Sequence, residues 1–258
     1  MWGQFPDEVT ALQKQSSPSL DALRTGLSTP VACIAVACAA MLLAGLEHGY
    51  APWRPFYVSY AALCIAIPLF VGGRFNWVRL GASRWLLLIA LVIAVQAGLA
   101  WFAGSGLPGL LSAFGVGADA VPDWNPSRAL GLAIARYAPH WGFEPPQMLL
   151  AYLMFITVWA GVGEELFYRG YVQERLRPWG TMAAVLVSAF LFAIRHAVQL
   201  QGPDYPWRAA LVWVALCFVL GLMFAALYEW KRSIWPPIVA HVLFNLIPAS
   251  QLLAARFG

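Results

Sequence analysis

The stretch Gln147-Met-Leu-Leu-Ala-Tyr-Leu-Met-Phe-Ile-Thr-Val-Trp-Ala-Gly-Val-Gly-Glu164-Glu165-Leu-Phe-Tyr168 is apolar almost throughout until it reaches two adjacent carboxylates. It is long enough to enter a bilayer, where a spanning helix takes roughly 17–25 residues. Arg169 follows at helical spacing, and two later apolar runs carry Phe192-Ala-Ile-Arg-His196 and His241-Val-Leu-Phe-Asn245. A charged group near the bilayer centre costs roughly 2.5–3.5 kcal/mol on insertion scales, and such groups are functional by default. The fold and the function are therefore sought at the same residues.

The rest of the chain agrees with a membrane setting. Of 258 residues, 61% are hydrophobic and 11% charged, and the mean hydropathy is +0.67. A soluble domain carries about 25% charged residues, so an ordinary globular fold is excluded. Thirteen tryptophans and nine tyrosines suit a protein with many membrane–water boundaries to anchor. The expected class is all-α, a polytopic integral membrane helical bundle of about seven to eight transmembrane helices. The net charge of +4 comes from lysines and arginines scattered among loops, which gives no nucleic-acid footprint. Cys33, Cys38, Cys64 and Cys217 fall inside apolar runs without a C-x-x-C pair and read as small packing residues.

Residues 1–29 are polar and mixed in charge, unlike the n-region of a cleaved signal peptide. They read as a leader with room for a short interfacial helix, for which Ser17-Pro18 is a suitable cap and first-turn pair. A transmembrane domain follows over 30–258, with its motif core at about 147–250. Its apolar runs lie at about 30–46, 56–71, 85–103, 147–168, 181–199, 207–228 and 234–253. Pro68 is expected to kink the second run, and Pro236-Pro237 suits the first turn of the seventh. Between 104 and 146 the chain is rich in Gly and Pro, and Leu107 to Val116 can be a re-entrant piece or a continuation of the third run. Glu47, His48, His140 and Glu144 read as solvated loop residues.

With the N-terminus inside, ten of the sixteen Lys and Arg residues collect on the inner side, among them Arg24, Arg175, Arg177, Lys231 and Arg232. Arg195 counts with the outer group, although it can lie inside a helix.

On a helix, residues four apart share a face, so Glu165 can pair with Arg169 and His241 lies beside Asn245. Glu164 points about 100° away from Glu165. The simplest division makes Glu165 and Arg169 a structural ion pair and leaves Glu164 free to face a cavity. Counted from the connection near Pro178, Glu164 and His196 lie at similar depths on the two arms of a hairpin. A carboxylate and an imidazole holding one water form a general base for hydrolysis, and a histidine and an asparagine four residues apart can donate to a developing oxyanion.

Glu164-Glu165-Leu-Phe-Tyr-Arg169-Gly170, Phe192-Ala-Ile-Arg-His196 and His241-Val-Leu-Phe-Asn245 resemble the three ordered motifs of the CPBP family. That family includes type II CAAX prenyl endopeptidases and bacterial Abi-type membrane proteins. The resemblance covers roughly 147–250, and residues 1–146 carry no feature assignable to it. It implies a glutamate-dependent intramembrane protease, a peptide hydrolase with no cofactor and no obligatory metal. Glu164 and His196 would activate water, His241 and Asn245 would stabilise the oxyanion, and Glu165 and Arg169 would support the site.

Other protease classes fit poorly. The chain has no H-E-x-x-H signature, its aspartates lie outside the apolar cores, and Ser105 sits in a glycine-rich loop without a rhomboid-like pattern. A metal-dependent membrane protease using the histidines and a glutamate as ligands stays open. So do a non-catalytic bacteriocin immunity or adaptor protein and a proton-coupled transporter, although no paired halves are visible. The expected partners are the lipid bilayer and a membrane-associated protein or peptide, with no nucleic acid. The expected location is a bacterial inner membrane.

Overall fold

A computed structural model describes residues 18–50, 58–72, 75, 78, 80–126, 159–197 and 206–257. Among these the regular structure is helical and no strand occurs. The first helix, α1 (Pro18–Gly26), starts at Pro18, whose fixed φ suits the first turn. It meets α2 (Pro30–Tyr50) at 86°, and its Leu20 and Leu23 are exposed. A short helix thus lies within the leader, at its C-terminal end; residues 1–17 lie outside the described residues. Helix α3 (Val58–Val71) contains Pro68 near its C-terminal end. Glu47 and His48, expected in a loop, lie instead in the last turn of α2, because helix formation runs four residues past the apolar stretch. His140 and Glu144 lie outside the described residues.

Helix α4 (Ala82–Trp101) continues through a π-helical turn, Phe102–Gly106, into α5 (Leu107–Ala113). The piece after the third run is therefore a continuation, and Ser105 is helical, not in a loop. Pro108 explains the π turn: its ring would clash with the carbonyl of Gly104 in a regular α-helix, and the wider turn relieves that contact. Together these elements make a rod of 32 residues, Ala82–Ala113, about 48 Å long.

The fourth run is described from Trp159 onward. Helix α6 (Gly161–Glu165) passes through a long π-helical segment, Leu166–Gln173, into α7 (Glu174–Leu176) and a 3-10 turn, Arg177–Trp179. This motif rod runs through the middle of the bundle, packed by α2, α3, α8 (Thr181–Arg195), α9 (Trp207–Lys231) and α10 (Trp235–Phe257). Every side chain from Leu166 to Gln173 is buried, Arg169 and Gln173 included. Pro236 and Pro237 occupy the first turn of α10, where a missing N–H costs nothing. Helices α8 and α9 close tightly at Gly221, where an added Cβ would meet the Ala189 carbonyl at 3.1 Å. Cys33, Cys64 and Cys217 are buried, free thiols that fill small spaces between helices.

Two helices, Ala82–Ala113 and Trp207–Lys231, are long and apolar enough to cross a bilayer, and a third span results if the bent α1–α2 pair is counted as one. Helices α3 and α8 are apolar but shorter. The described residues thus give an all-helical membrane bundle with two to three clear spans, fewer than the seven to eight read from the apolar runs.

Candidate active site

The motif rod supplies both glutamates. Arg169 reaches back one turn, with Nη1 3.0 Å from Glu165 Oε1, and its Nη2 donates to the Gly221 carbonyl at 2.9 Å. Its guanidinium lies 4.7 Å from the centroid of the Phe192 ring and 5.4 Å from that of Phe224. Glu165 has a second partner across the bundle: His241 Nδ1 stands 2.8 Å from the same Oε1. Since a carboxylate accepts, Nδ1 carries the proton and the other ring nitrogen, Nε2, is left bare in the neutral imidazole. Glu165 is thus the joint between three helices, through Arg169 and its Gly221 contact on one side and His241 on the other.

Glu164 is not the free carboxylate the sequence suggested. Its Oε1 lies 2.9 Å from Arg195 Nη2, and its Oε2 lies 3.9 Å from His241 Nε2. The turn of about 100° between neighbouring residues aims Glu164 at α8, where Arg195 sits at matching depth. Arg195 is 3% exposed and its guanidinium covers the Tyr60 ring at 4.3 Å; the Tyr60 hydroxyl in turn donates to Tyr168 at 3.2 Å. Sequence reasoning counted Arg195 with the outer group, while allowing that it lies inside a helix, and gave it no role at the site. The signal was available: a guanidinium inside an apolar run needs a carboxylate at its own depth, and the hairpin count put Glu164 there.

His196 closes α8. Its Nδ1 is 2.7 Å from the Phe192 carbonyl, which can only accept, so this nitrogen too holds the proton and Nε2 is bare. Both imidazoles lie against one phenyl ring, with centroids 4.6 Å (His196) and 5.7 Å (His241) from that of Phe192. His241 is also stacked on Phe224 at 4.8 Å and 16°. Asn245 lies one turn further along α10, half-buried. Its Nδ2 is 3.8 Å from where a Cβ on Gly161 would sit. Glycine at 161 lets α10 approach this closely, since a Cβ would meet Val242 Cγ2 at 3.2 Å.

The structure therefore gathers Glu164, Glu165, Arg169, Arg195 and His241 into one buried charged cluster. His196 joins it through Phe192, and Asn245 borders it at Gly161. Among the described residues no three His, Cys, Asp or Glu side chains converge at metal-ligand spacing.

The helical bundle thus holds paired glutamates and histidines buried at its centre. The sequence model of the family described as Type II CAAX prenyl endopeptidase Rce1-like matches residues 146–247, the segment in which all three motifs lie. That family is the one the motifs resemble. Uncharacterized protein YpbD of Bacillus subtilis (strain 168) is 26% identical over 103 residues, which is 40% of this chain and 47% of that protein. The match therefore spans about half the length of that relative. No solved structure matches the chain.

Proposed function

We infer that this chain is an intramembrane endopeptidase that hydrolyses a peptide bond of a membrane-associated protein or peptide, using water activated by Glu164 and His196. The observation that carries the reading is the state of the two imidazoles. Each commits Nδ1 to a fixed acceptor, Glu165 or the Phe192 carbonyl, which fixes the ring and leaves Nε2 for the reaction in a buried site. A carboxylate held by Arg195 at 2.9 Å completes the set. Such fixed, water-shielded groups are what general-base and oxyanion catalysis require.

In the reaction, water gives one proton to the Glu164–His196 base and its oxygen adds to the scissile carbonyl carbon. The carbonyl π electrons move onto oxygen, and the resulting oxyanion accepts hydrogen bonds from Asn245 Nδ2 and from His241. For His241 to donate through Nε2 it must hold a second proton, and the Glu165 carboxylate at Nδ1 is placed to balance that charge. Collapse of the tetrahedral intermediate breaks the C–N bond, and the proton taken from water passes to the leaving amine. Arg169 and Arg195 hold the two carboxylates in place throughout.

The membrane setting follows the same reading. His241 lies six residues into α10 and Glu165 eleven residues before Leu176, about 9 and 16 Å of helix from the end of the bundle that carries Arg175, Arg177 and Arg232. The site then lies part-way into the bilayer of a bacterial inner membrane, within a fold of seven to eight spans. Its substrates are a leader peptide, a bacteriocin precursor or a C-terminal membrane anchor.

Glu164→Gln keeps the shape and removes the base, so turnover per folded molecule should fall by at least about 100-fold. The comparison is of cleaved proteins in membranes from a deletion strain carrying either form. Wild-type cleavage by the glutamine variant overturns the assignment and leaves a binding protein of the immunity or adaptor kind.

A further inference from the structure

At the end of the motif rod remote from the glutamates, a cavity of about 600 Å³ opens between helices, with Gly72 and Gly170 in its wall and Arg175, Arg177, Arg232 and Glu174 around it. A fourth guanidinium stands next to that wall: Arg24 Nη2 lies 2.7 Å from where a Cβ on Gly72 would sit. The carboxylates here are already engaged. Glu174 accepts from Arg177 at 3.0 Å, Arg232 at 3.1 Å and the Tyr228 hydroxyl at 2.8 Å. Glu229 accepts from Arg177 at 2.5 Å, Arg232 at 3.4 Å and Gln173 at 2.7 Å. Arg175 donates to the Val71 carbonyl at 3.2 Å, and neither it nor Arg24 meets a carboxylate among the described residues. Among the described residues, the cavity and its border therefore carry two guanidinium charges in excess.

The surroundings fix the kind of anion. Trp179, Trp230 and Trp235 are exposed at this end of the bundle, and Lys231 Nζ lies 4.8 Å over the Trp230 ring. Exposed tryptophans beside lysine and arginine at helix ends mark the headgroup level of a bilayer. The Lys/Arg bias of the sequence makes this the cytoplasmic side, where the leaflet is anionic. We propose that this cavity is a binding site for the phosphate of an anionic phospholipid headgroup, held by Arg24 and Arg175 and bordered by the Arg177–Arg232 pair. The site stands apart from the glutamate cluster and does not depend on the catalytic reading.

The test uses the full chain in nanodiscs of phosphatidylcholine with or without phosphatidylglycerol, with retained lipid counted by native mass spectrometry. Wild type should retain phosphatidylglycerol preferentially. Arg24→Gln and Arg175→Gln should each reduce that preference by about fivefold, as expected for a basic group worth about 1 kcal/mol at an anionic surface. Unchanged preference in the double variant overturns the site. In a lipid-free detergent arm, inorganic phosphate or glycerol phosphate should not stabilise the protein as phosphatidylglycerol does; equal stabilisation makes the ligand a soluble phosphate and overturns the lipid assignment. Should the double variant fail to fold in phosphatidylcholine, wild-type protein with a photoactivatable phosphatidylglycerol decides instead. Labelling of the peptide containing Gly170 to Arg177 supports the site, and labelling confined to other segments overturns it.

Discussion

One helical rod carries two glutamate–arginine clusters, about ten residues apart, built from the same residue types and different in every physical respect. In the inner cluster Glu164, Glu165, Arg169 and Arg195 are 0–3% exposed. In the outer one Glu174, Glu229, Arg177 and Arg232 are 11–42% exposed. Inside, two carboxylates face two guanidiniums, and these four charges close to zero. Outside, two carboxylates face two guanidiniums as well, but Arg175 and Arg24 stand beside them, so guanidiniums outnumber carboxylates among the described residues. Burial drives this difference: an unbalanced charge in low dielectric is expensive, whereas water and headgroups screen a surplus at the boundary. For Arg177, burial works against the charge, but the hydrogen bonds it donates to Glu229 and Glu174 outweigh it and raise its pKa above the usual arginine range. Balance suits a site that must hold geometry, and surplus suits one that attracts an anion.

The largest effects should come from disturbing chemistry at the inner cluster. His241→Ala and Asn245→Ala should each lower kcat by about 10²–10³, the usual loss for an oxyanion donor. KM should change little, because donors of this kind act on charge that develops during the reaction. The double variant should be less impaired than the product of the single effects. A large rise in KM with kcat preserved would turn this pair into a substrate-binding element.

Stability should separate the clusters next. Removing one partner of a buried pair leaves an uncompensated charge and costs roughly 3–5 kcal/mol. Arg169→Ala and Glu165→Ala should therefore lower the thermal midpoint in detergent clearly. Glu164→Ala adds a sharper question, because its tie to Arg195 was not visible in the sequence. Its loss of stability should be comparable with that of Arg169→Ala, since Arg195 would be stranded at 3% exposure. If the protein with Glu164→Ala melts like wild type, Arg195 is not held in the way its 2.9 Å contact indicates.

What the sequence disclosed follows from locality. Glu165 with Arg169, and His241 beside Asn245, are helical neighbours four apart, and the apolar runs mark α2, α3, α8, α9 and α10 to within a few residues. The hairpin count gave equal depth for Glu164 and the end of α8. Rotation about the helix axis was not legible. The π-helical segment at Leu166–Gln173 has no pattern in residue type that sets it apart from α, yet it changes which faces meet α8 and α9. Contacts such as Glu165 with His241, 76 residues apart, depend on that rotation. The continuity of Ala82–Ala113 was hidden for a related reason, since Gly104-Ser105-Gly106-Leu-Pro108 has the composition of a break and becomes helical through a wider turn.

At the outer cluster the same kind of substitution should matter far less. Exposed ion pairs are worth about 0.2–1 kcal/mol by double-mutant cycles. Arg232→Gln, 42% exposed, should shift the thermal midpoint only slightly, and Glu229→Gln somewhat more because it serves Arg177, Arg232 and Gln173 together. A loss at Arg232 as large as that for Arg169→Ala would erase the contrast between the clusters.

The smallest expected effect is none, on removing metal. A divalent cation added to the inner cluster would join two carboxylates already neutralised by Arg169 and Arg195, leaving two positive charges buried without partners. His241 Nδ1 is held by Glu165 and His196 Nδ1 by the Phe192 carbonyl, so each imidazole has one nitrogen left for any other role. In the proposed reaction those nitrogens handle the proton and the oxyanion, and Arg195 supplies the fixed positive charge beside Glu164. Prolonged dialysis against a strong chelator should leave turnover unchanged, and elemental analysis should find no stoichiometric zinc. Activity lost to the chelator and restored by zinc would reassign His196, His241 and one glutamate as ligands. It would also mean that the Glu164–Arg195 contact opens when the metal enters, because one carboxylate oxygen cannot serve both at 2.9 Å and at metal-bond distance without adding the charge that burial forbids.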